Sequence, residues 1–266
     1  MAVCSASRDA VLDQLVLSAE QRWGYKALVR LSASPTASDI PVISTGFPDF
    51  DSSLGIGGIP RGRITQLFGS PSSGKATLAV KLLAMSQVNN GLAVYIDLGR
   101  SFDPVYAAGL GVDLDRLLVV RPDNMAAALK ITVSLVCSKE PDLIVFDSAN
   151  FAVERPKNVP ENVIRSRSWL MSKALRSLAG LVDKSNMALI FVDEIPAGNV
   201  SKEDQSDLAM RFYSSIRVSV SRGNWLFTGA DVVGWTAKTL VVKNKLAAPL
   251  GTANLRIVYE NRLYAA

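Results

Sequence analysis

The 266-residue chain predicts an α/β fold, a mostly parallel central sheet flanked by helices. Three observations carry this expectation. Apolar runs of strand length recur at 64–68, 92–96, 117–120, 143–146 and 188–192. Strands buried on both faces read this way, without polar alternation. Helix-length stretches at 75–88, 124–138 and 165–183 separate these runs. Finally, the first run leads through a glycine-bearing loop directly into a helix, an order that suits a phosphate-binding turn.

Taken from the N-terminus, residues 8–22 place Val11, Leu12, Leu15, Val16 and Ala19 at helical spacing. A short apolar piece, Ala27 to Leu31, follows, and then a Ser/Pro-rich stretch. One helix and one strand cannot form a core alone. Residues 1–35 are therefore expected to be an arm that docks on the main body or on another copy of the chain. Residues 36–42 are the linker and residues 43–266 the core. After residue 210 the helices thin out, and stretches 212–221, 238–243 and 254–259 read as strands extending the sheet. There is no internal repeat.

Composition narrows the chemistry. Apolar residues make up 48% and charged residues 20%, an ordinary globular balance. The chain has no histidine, which excludes Ser-His-Asp and Cys-His triads and His-ligated zinc. Cys4 and Cys137 are far apart and have no metal spacing, so a reducing compartment fits best. No apolar run approaches the ~18 residues that span a bilayer. The expectation is a soluble, cytoplasmic protein with no membrane partner. Net charge is +5, and residues 207–266 hold eight Lys/Arg against three Asp/Glu. That basic end hints at a polyanionic partner, although charge alone favours a solvated lysine-bearing face.

The strongest motif is Gly69-Ser70-Pro71-Ser72-Ser73-Gly74-Lys75-Ala76-Thr77. In a P-loop the glycines turn backbone N–H groups toward phosphate oxygens, the following helix adds its positive end, and the lysine reaches the outer phosphates. One position departs from the pattern. The residue after the lysine is normally Ser or Thr, whose hydroxyl binds Mg²⁺, and here it is Ala76. Thr77 is turned by ~100° from that position and cannot simply take over. A second acidic element, Leu143-Ile144-Val145-Phe146-Asp147, reads as a Walker B segment in which Asp147 would hold Mg²⁺ through water, although an Asp at a strand end is also a common helix cap.

These residues resemble the bacterial RecA recombinase family over nearly the whole chain. The resemblance rests on Ile43-Ser44-Thr45-Gly46 and Leu54 to Ile64 before the loop, and on Tyr95-Ile96-Asp97 with Phe102-Asp103-Pro104-Val105-Tyr106 after it. It continues through Met171 to Gly180 and through Val241-Val242-Lys243-Asn244-Lys245-Leu246-Ala247-Ala248-Pro249. It implies a RecA-like P-loop core that binds ATP and Mg²⁺, with Asp103 and Tyr106 contacting adenine. It also implies that Lys243 and Lys245 reach the ATP of a neighbouring protomer, and that the arm, including Trp23-Gly24-Tyr25-Lys26, docks on that neighbour. The expected DNA-binding residues are Arg165, Arg167, Trp169, Ser172 and Arg176, with Arg155 and Lys157 just upstream. Arginines on phosphates bind without sequence preference, and the Trp169 indole could stack on a base or equally fill a gap in the core.

The chain also departs from the family. Gly99 stands where the family has the glutamate that activates water, and Glu194 where it has the glutamine that senses the γ-phosphate. The second DNA-binding loop, about 196–208, is short and acidic, and the family's C-terminal domain is not expected. The elements that hold nucleotide are retained and those that hydrolyse it are altered. Losing a general base typically costs ~10²–10⁴ in rate. The resemblance thus implies ATP-dependent single-stranded DNA binding in recombination and repair, through filament-like self-association, with weak or lost hydrolysis. The alternative is a hydrolysis-deficient accessory protein of the SOS or translesion response, acting on RecA itself or on a translesion polymerase. A P-loop kinase or clock-type ATPase would need the Mg²⁺ ligand and catalytic acid that this chain lacks at the expected positions.

Overall fold

The structure, a computed structural model, describes residues 3–24, 28, 40–88, 90–147, 161–194 and 205–258, and within it the side chains of 3–7, 161–168 and 205–207 lie outside the description. The chain divides into two compact units, Met1–Ile40 and Pro41–Ala266. In the first, α1 (Val3–Trp23) ends where Gly24 adopts φ +96 and donates its N–H to the Glu20 carbonyl at 2.9 Å. A glycine tolerates this left-handed helix stop without a Cβ penalty. Val11, Leu12 and Leu15, three members of the predicted apolar face, are exposed, while Ala19 is buried. The apolar piece at 27–31 falls almost entirely outside the described residues.

The second unit is built on an eight-stranded sheet. A two-residue ladder, β1 (Val42–Ile43) with β2 (Ile59–Pro60), brackets the short helix α2 (Pro48–Ser53). Then come β3 (Ile64–Gly69), α3 (Lys75–Gln87), β4 (Ala93–Asp97), α4 (Pro104–Gly109), β5 (Leu117–Val120), α5 (Met125–Ser138), β6 (Leu143–Asp147), α6 (Glu161–Asp183), β7 (Ala188–Glu194), α7 (Gln205–Tyr213), β8 (Ile216–Thr228), β9 (Asp231–Asn244) and β10 (Thr252–Val258). The strand order is β10-β9-β8-β3-β7-β6-β4-β5. From β8 to β5 all pairs are parallel, and β9 and β10 add antiparallel pairs at one edge. This is the mostly parallel α/β sheet that the apolar runs predict.

Two apolar layers sandwich the sheet. On one face Leu78, Leu82 and Leu83 of α3 pack with Leu67, Tyr95, Val145 and Ile190 of the central strands. On the other, Met171, Leu175, Leu178 and Val182 of α6 pack with Val94, Ile144, Phe146 and Phe191. The α6 residues recur at i, i+4, i+7 and i+11, which is the stripe of a core-facing helix. Alternate residues of one strand thus serve opposite layers, which is why β4 and β6 are apolar on both faces up to their terminal Asp97 and Asp147.

Two sequence expectations shift. The predicted strand over 212–221 begins as the last turn of α7, and strand starts only at Ile216. The extension over 238–243 is part of a long hairpin, β8–β9, that reaches back to Asp231 through a turn in which Gly229 takes φ +63. Its register shifts between Arg222 and Trp225 and between Leu226 and Phe227, and such bulges break the two-residue periodicity on which strand prediction depends.

Candidate nucleotide-binding site

The carboxyl ends of β3, β4, β6 and β7 lie side by side, so the loops leaving them converge on one cleft. The loop from β3 to α3 occupies its floor. Gly74 precedes α3 with φ +101, and a Cβ there would come within 2.7 Å of Ile257 Cδ1. Only glycine meets both conditions. Gly69 is equally constrained, since a Cβ there would lie 2.0 Å from the Val220 carbonyl oxygen. Lys75 reaches back across the loop, donating from Nζ to the Ser70 carbonyl at 2.6 Å and to Ser73 Oγ at 3.4 Å.

The cleft encloses about 660 Å³ and is lined by residues 71–77 together with Gly99, Ser101, Asp147, Val192, Asp193, Glu194, Arg222 and Trp235. The volume is in the range of small-molecule sites. Burial holds the Lys75 ammonium below its ordinary pKa, against the opposing pull of Glu194, Asp147 and Asp193. Burial likewise raises the Asp147 carboxyl, reinforced by Asp97 and Glu194, while the hydrogen bond from Tyr95 and the charge of Lys75 oppose the rise. The Tyr95 hydroxyl donates to Asp147, and its own pKa is raised by burial and by that carboxylate.

Asp103 caps α4, its Oδ1 accepting from Val105 N at 2.8 Å and Tyr106 N at 3.0 Å, and Pro104 occupies the first helical turn. The cap aims Tyr106 back at α3, where its hydroxyl shares a 2.7 Å hydrogen bond with Thr77 Oγ1. Thr77 Oγ1 is thereby engaged with α4. Asp97, fully buried, holds the β4 exit loop by accepting from Ser101 N at 2.8 Å and Phe102 N at 3.3 Å, and Arg121 Nε lies 3.4 Å away. That fixes the backbone on either side of Gly99.

A family profile described as the RecA N-terminal domain matches residues 10–264. The relatives include Protein RecA of Symbiobacterium thermophilum, 37% identical across 97% of this chain and 76% of its own length. Protein RecA of Chlorobaculum tepidum is 37% identical across 97% of this chain and 77% of its own, and that of Leptospira meyeri 39% across 95% and 66%. The chain belongs to the RecA family.

Within this RecA-family core the predicted nucleotide residues divide. The loop residues from Pro71 to Thr77 and Asp147 meet in the cleft, and Gly69 and Ser70 lead into it. Asp103 and Tyr106 flank it through the Thr77 contact. Lys243 and Lys245 are not in the cleft. Lys243 Nζ donates to the carbonyls of Arg211, Phe212 (3.4 Å) and Ser214 (2.7 Å), and Lys245 Nζ to Phe212 at 3.2 Å. Both cap the carbonyl end of α7, where cations oppose the helix dipole. Burial, with Lys245 and Arg217 nearby, pushes the Lys243 amine down to about 8.

The loop fits ATP: its glycines allow the tight turn and Lys75 supplies a cation. For Mg²⁺ the fit is narrower. Among the described residues no group of three or more acids is arranged to hold a metal ion. Asp147, Asp193 and Glu194 are the carboxylates of the cleft, and Asp147 would hold a cation bound mainly by phosphate oxygens and water.

The predicted DNA face lies elsewhere, on α6. Trp169, Lys173 and Arg176 form an exposed stripe with the Lys173 ammonium 5.0 Å from the Trp169 ring centre, while Ser172 is half-buried beside it. The side chains of Arg165 and Arg167 lie outside the described residues, as do Arg155, Lys157 and most of the loop at 196–208. Several cleft residues escaped the sequence reading: Ser101, Val192 and Asp193 beside predicted positions, and Arg222 and Trp235 from the distant β8–β9 hairpin, which no local motif announces. A further feature is a buried chain in which Arg217 Nε donates to Gln66 Oε1 at 2.5 Å and Gln66 Nε2 donates to Asp193. It ties β8, β3 and β7 together beneath the cleft. No helix among the described residues is long and apolar enough to cross a membrane.

Proposed function

We propose that this RecA-family chain binds ATP in the cleft between the β3–α3 loop and Asp147, and uses the bound state to engage single-stranded DNA in recombination and repair, with weak or no hydrolysis. The observation that carries the reading is the contrast within one cleft. The phosphate loop with Lys75 and the capped Tyr106 are built as holding elements, while Ala76, Gly99 and Glu194 stand where turnover chemistry is expected. The exposed Trp169–Lys173–Arg176 stripe supplies a cationic, stackable face for the DNA.

Self-association belongs to the same proposal. The edge strand β5 exposes Leu118 and Val119, and the preceding turn exposes Leu114. The arm helix exposes Val11, Leu12 and Leu15. Apolar segments of this kind on one chain suit docking by the arm of the next copy, and in such an assembly Lys243 and Lys245 would face a neighbour's nucleotide. The altered turnover positions favour a second reading, a hydrolysis-deficient accessory that acts through RecA or a translesion polymerase.

The test is binding of labelled single-stranded DNA with and without ATP across a salt series, with phosphate release followed in the same samples. ATP-dependent, salt-sensitive binding with slow release supports the recombinase reading. ATP-dependent binding without release supports the accessory reading. DNA binding indifferent to ATP, or nucleotide affinity unchanged in Lys75→Ala, refutes the proposal.

A further inference from the structure

Arg222 and Trp225 are three residues apart, so in a regular strand they would project to opposite faces of the sheet. They share one face because β8 bulges between them. Gly223 permits the bulge: a Cβ there would meet Thr236 Oγ1 at 2.4 Å. Thr236 Oγ1 locks it, accepting from Asn224 N at 2.8 Å and donating to the Asn224 carbonyl at 3.2 Å. Trp225 then stands opposite Trp235 across the hairpin. The Arg222 guanidinium carbon lies 4.0 Å from the Trp225 ring centre and 4.9 Å from that of Trp235.

This clamp forms a wall of the nucleotide cleft. Arg222 and Trp235 line the same cavity as residues 71–77. Trp235 is nearly buried, and its Nε1 lies 3.8 Å from where a Cβ on Gly74 would stand. A guanidinium is a donor only, so Arg222 is suited to face acceptors. No carboxylate among the described residues pairs with Arg222, although the cleft contains Asp147, Asp193 and Glu194. A polyphosphate entering a cleft with three acids and Lys75 needs further positive charge. A guanidinium stacked between two indoles has fewer rotamers to lose on binding and keeps its N–H edge available.

We propose that Arg222, clamped between Trp225 and Trp235, is a phosphate ligand that this chain supplies to its own bound nucleotide. The proposal rests on the nucleotide-binding reading of the cleft and assigns a residue that the phosphate-loop motif does not contain.

The test measures displacement of a fluorescent ATP analogue from the full-length protein by ATP, ADP and adenosine, for wild type, Lys75→Ala, Arg222→Gln, Trp225→Ala and Trp225→Phe. A charge-assisted contact predicts a loss of about tenfold or more in ATP affinity for Arg222→Gln, with adenosine competition unchanged. Trp225→Ala should show part of that loss and Trp225→Phe should recover it. Wild-type affinity for ATP in Arg222→Gln, with Lys75→Ala still abolishing binding, overturns the role of Arg222 alone. An equal loss for adenosine overturns it in favour of a base contact. Unchanged ATP affinity with weakened single-stranded DNA binding overturns it in favour of a DNA contact. Failure of the wild type to bind any nucleotide overturns this proposal together with the reading beneath it.

Discussion

Replacing Gly99 by Glu and Ala76 by Thr in one chain asks whether two missing functional groups account for the weak hydrolysis proposed above. Both positions are exposed and both line the cleft. A Cβ on Gly99 meets only Ser101 Oγ, at 3.7 Å, an ordinary contact, and the residue does not have the left-handed backbone that penalises side chains. The turn around it is fixed by Asp97, which accepts from Ser101 N and Phe102 N, so the new carboxylate starts from a defined backbone. Surface substitutions without a clash usually change stability by less than about 0.5 kcal/mol. For a domain of this size that is a melting shift within about 2 °C. The kinetic effect should be far larger, because a placed general base contributes about 10²–10⁴ and the threonine hydroxyl adds a ligand for the cation. The assay is phosphate release in the presence of single-stranded DNA at saturating ATP, alongside a nucleotide titration and a melting curve. A gain of about a hundredfold or more in the rate, with melting and affinity near wild type, is the expected result. An unchanged rate in a variant that folds and binds ATP normally would refute the idea that these two positions limit turnover, and would move attention to Glu194.

Other consequences follow from single contacts. Gly69→Ala drives a Cβ to 2.0 Å from the Val220 carbonyl, so it should cost about 2–3 kcal/mol and lower Tm by roughly 5–10 °C, read by calorimetry. Arg176→Ala should weaken single-stranded DNA binding evenly across sequences and reduce the slope of log affinity against log salt by about 1. Deleting residues 1–35 should leave a monomer by light scattering, and persistent oligomers would remove the arm from the assembly. For Lys243, folding lowers the amine to about 8 from 10.5, so between those values the unfolded chain binds more protons. Its contribution to stability is therefore unfavourable below about pH 8 and improves as pH rises through the window. Wild type should gain stability relative to Lys243→Met between pH 8 and 10 in parallel melting curves.

The central sheet was legible because strands such as β4 and β6 are buried on both faces, so 92–96 and 143–146 read as uninterrupted apolar runs. The far edge was not. The residues at 212–213 carry aromatic rings suited to a strand, yet they end α7, with Phe212 70% exposed and edge-to-face against Tyr213 at 5.0 Å between centroids. The outer half of the β8–β9 hairpin was missed because the Arg222-Gly223-Asn224 interruption is a bulge, which looks like a loop in one dimension. The phosphate loop was legible because its chemistry is contiguous. The Arg217–Gln66–Asp193 chain was not, since it joins strands distant in sequence, and the Arg222 clamp was not, since it depends on a bulge and a cross-strand pairing within the hairpin. Asp103 combines both cases: the motif marks it, while its hydrogen bonds reveal the capping that positions Tyr106.

Holding and hydrolysing a nucleotide are separable in this fold because they draw on different elements. The cradle comes from β3, α3 and α4, whose geometry depends on Gly69, Gly74 and the Asp103 cap. Turnover would come from the β4 exit and the end of β7, where Gly99 is exposed and Glu194 half-buried, so neither position was needed to support the core. A chain can therefore lose the second set without loosening the first. A nucleotide that is bound and not cleaved still stabilises the binding-competent state by mass action, by RT ln(1 + [L]/Kd), and it departs only by dissociation. The bound state of such a protein would be timed by the nucleotide's off-rate rather than by a chemical step. Contacts that slow dissociation, such as the Arg222 clamp, would then act on lifetime where a hydrolysing relative would act through its catalytic base.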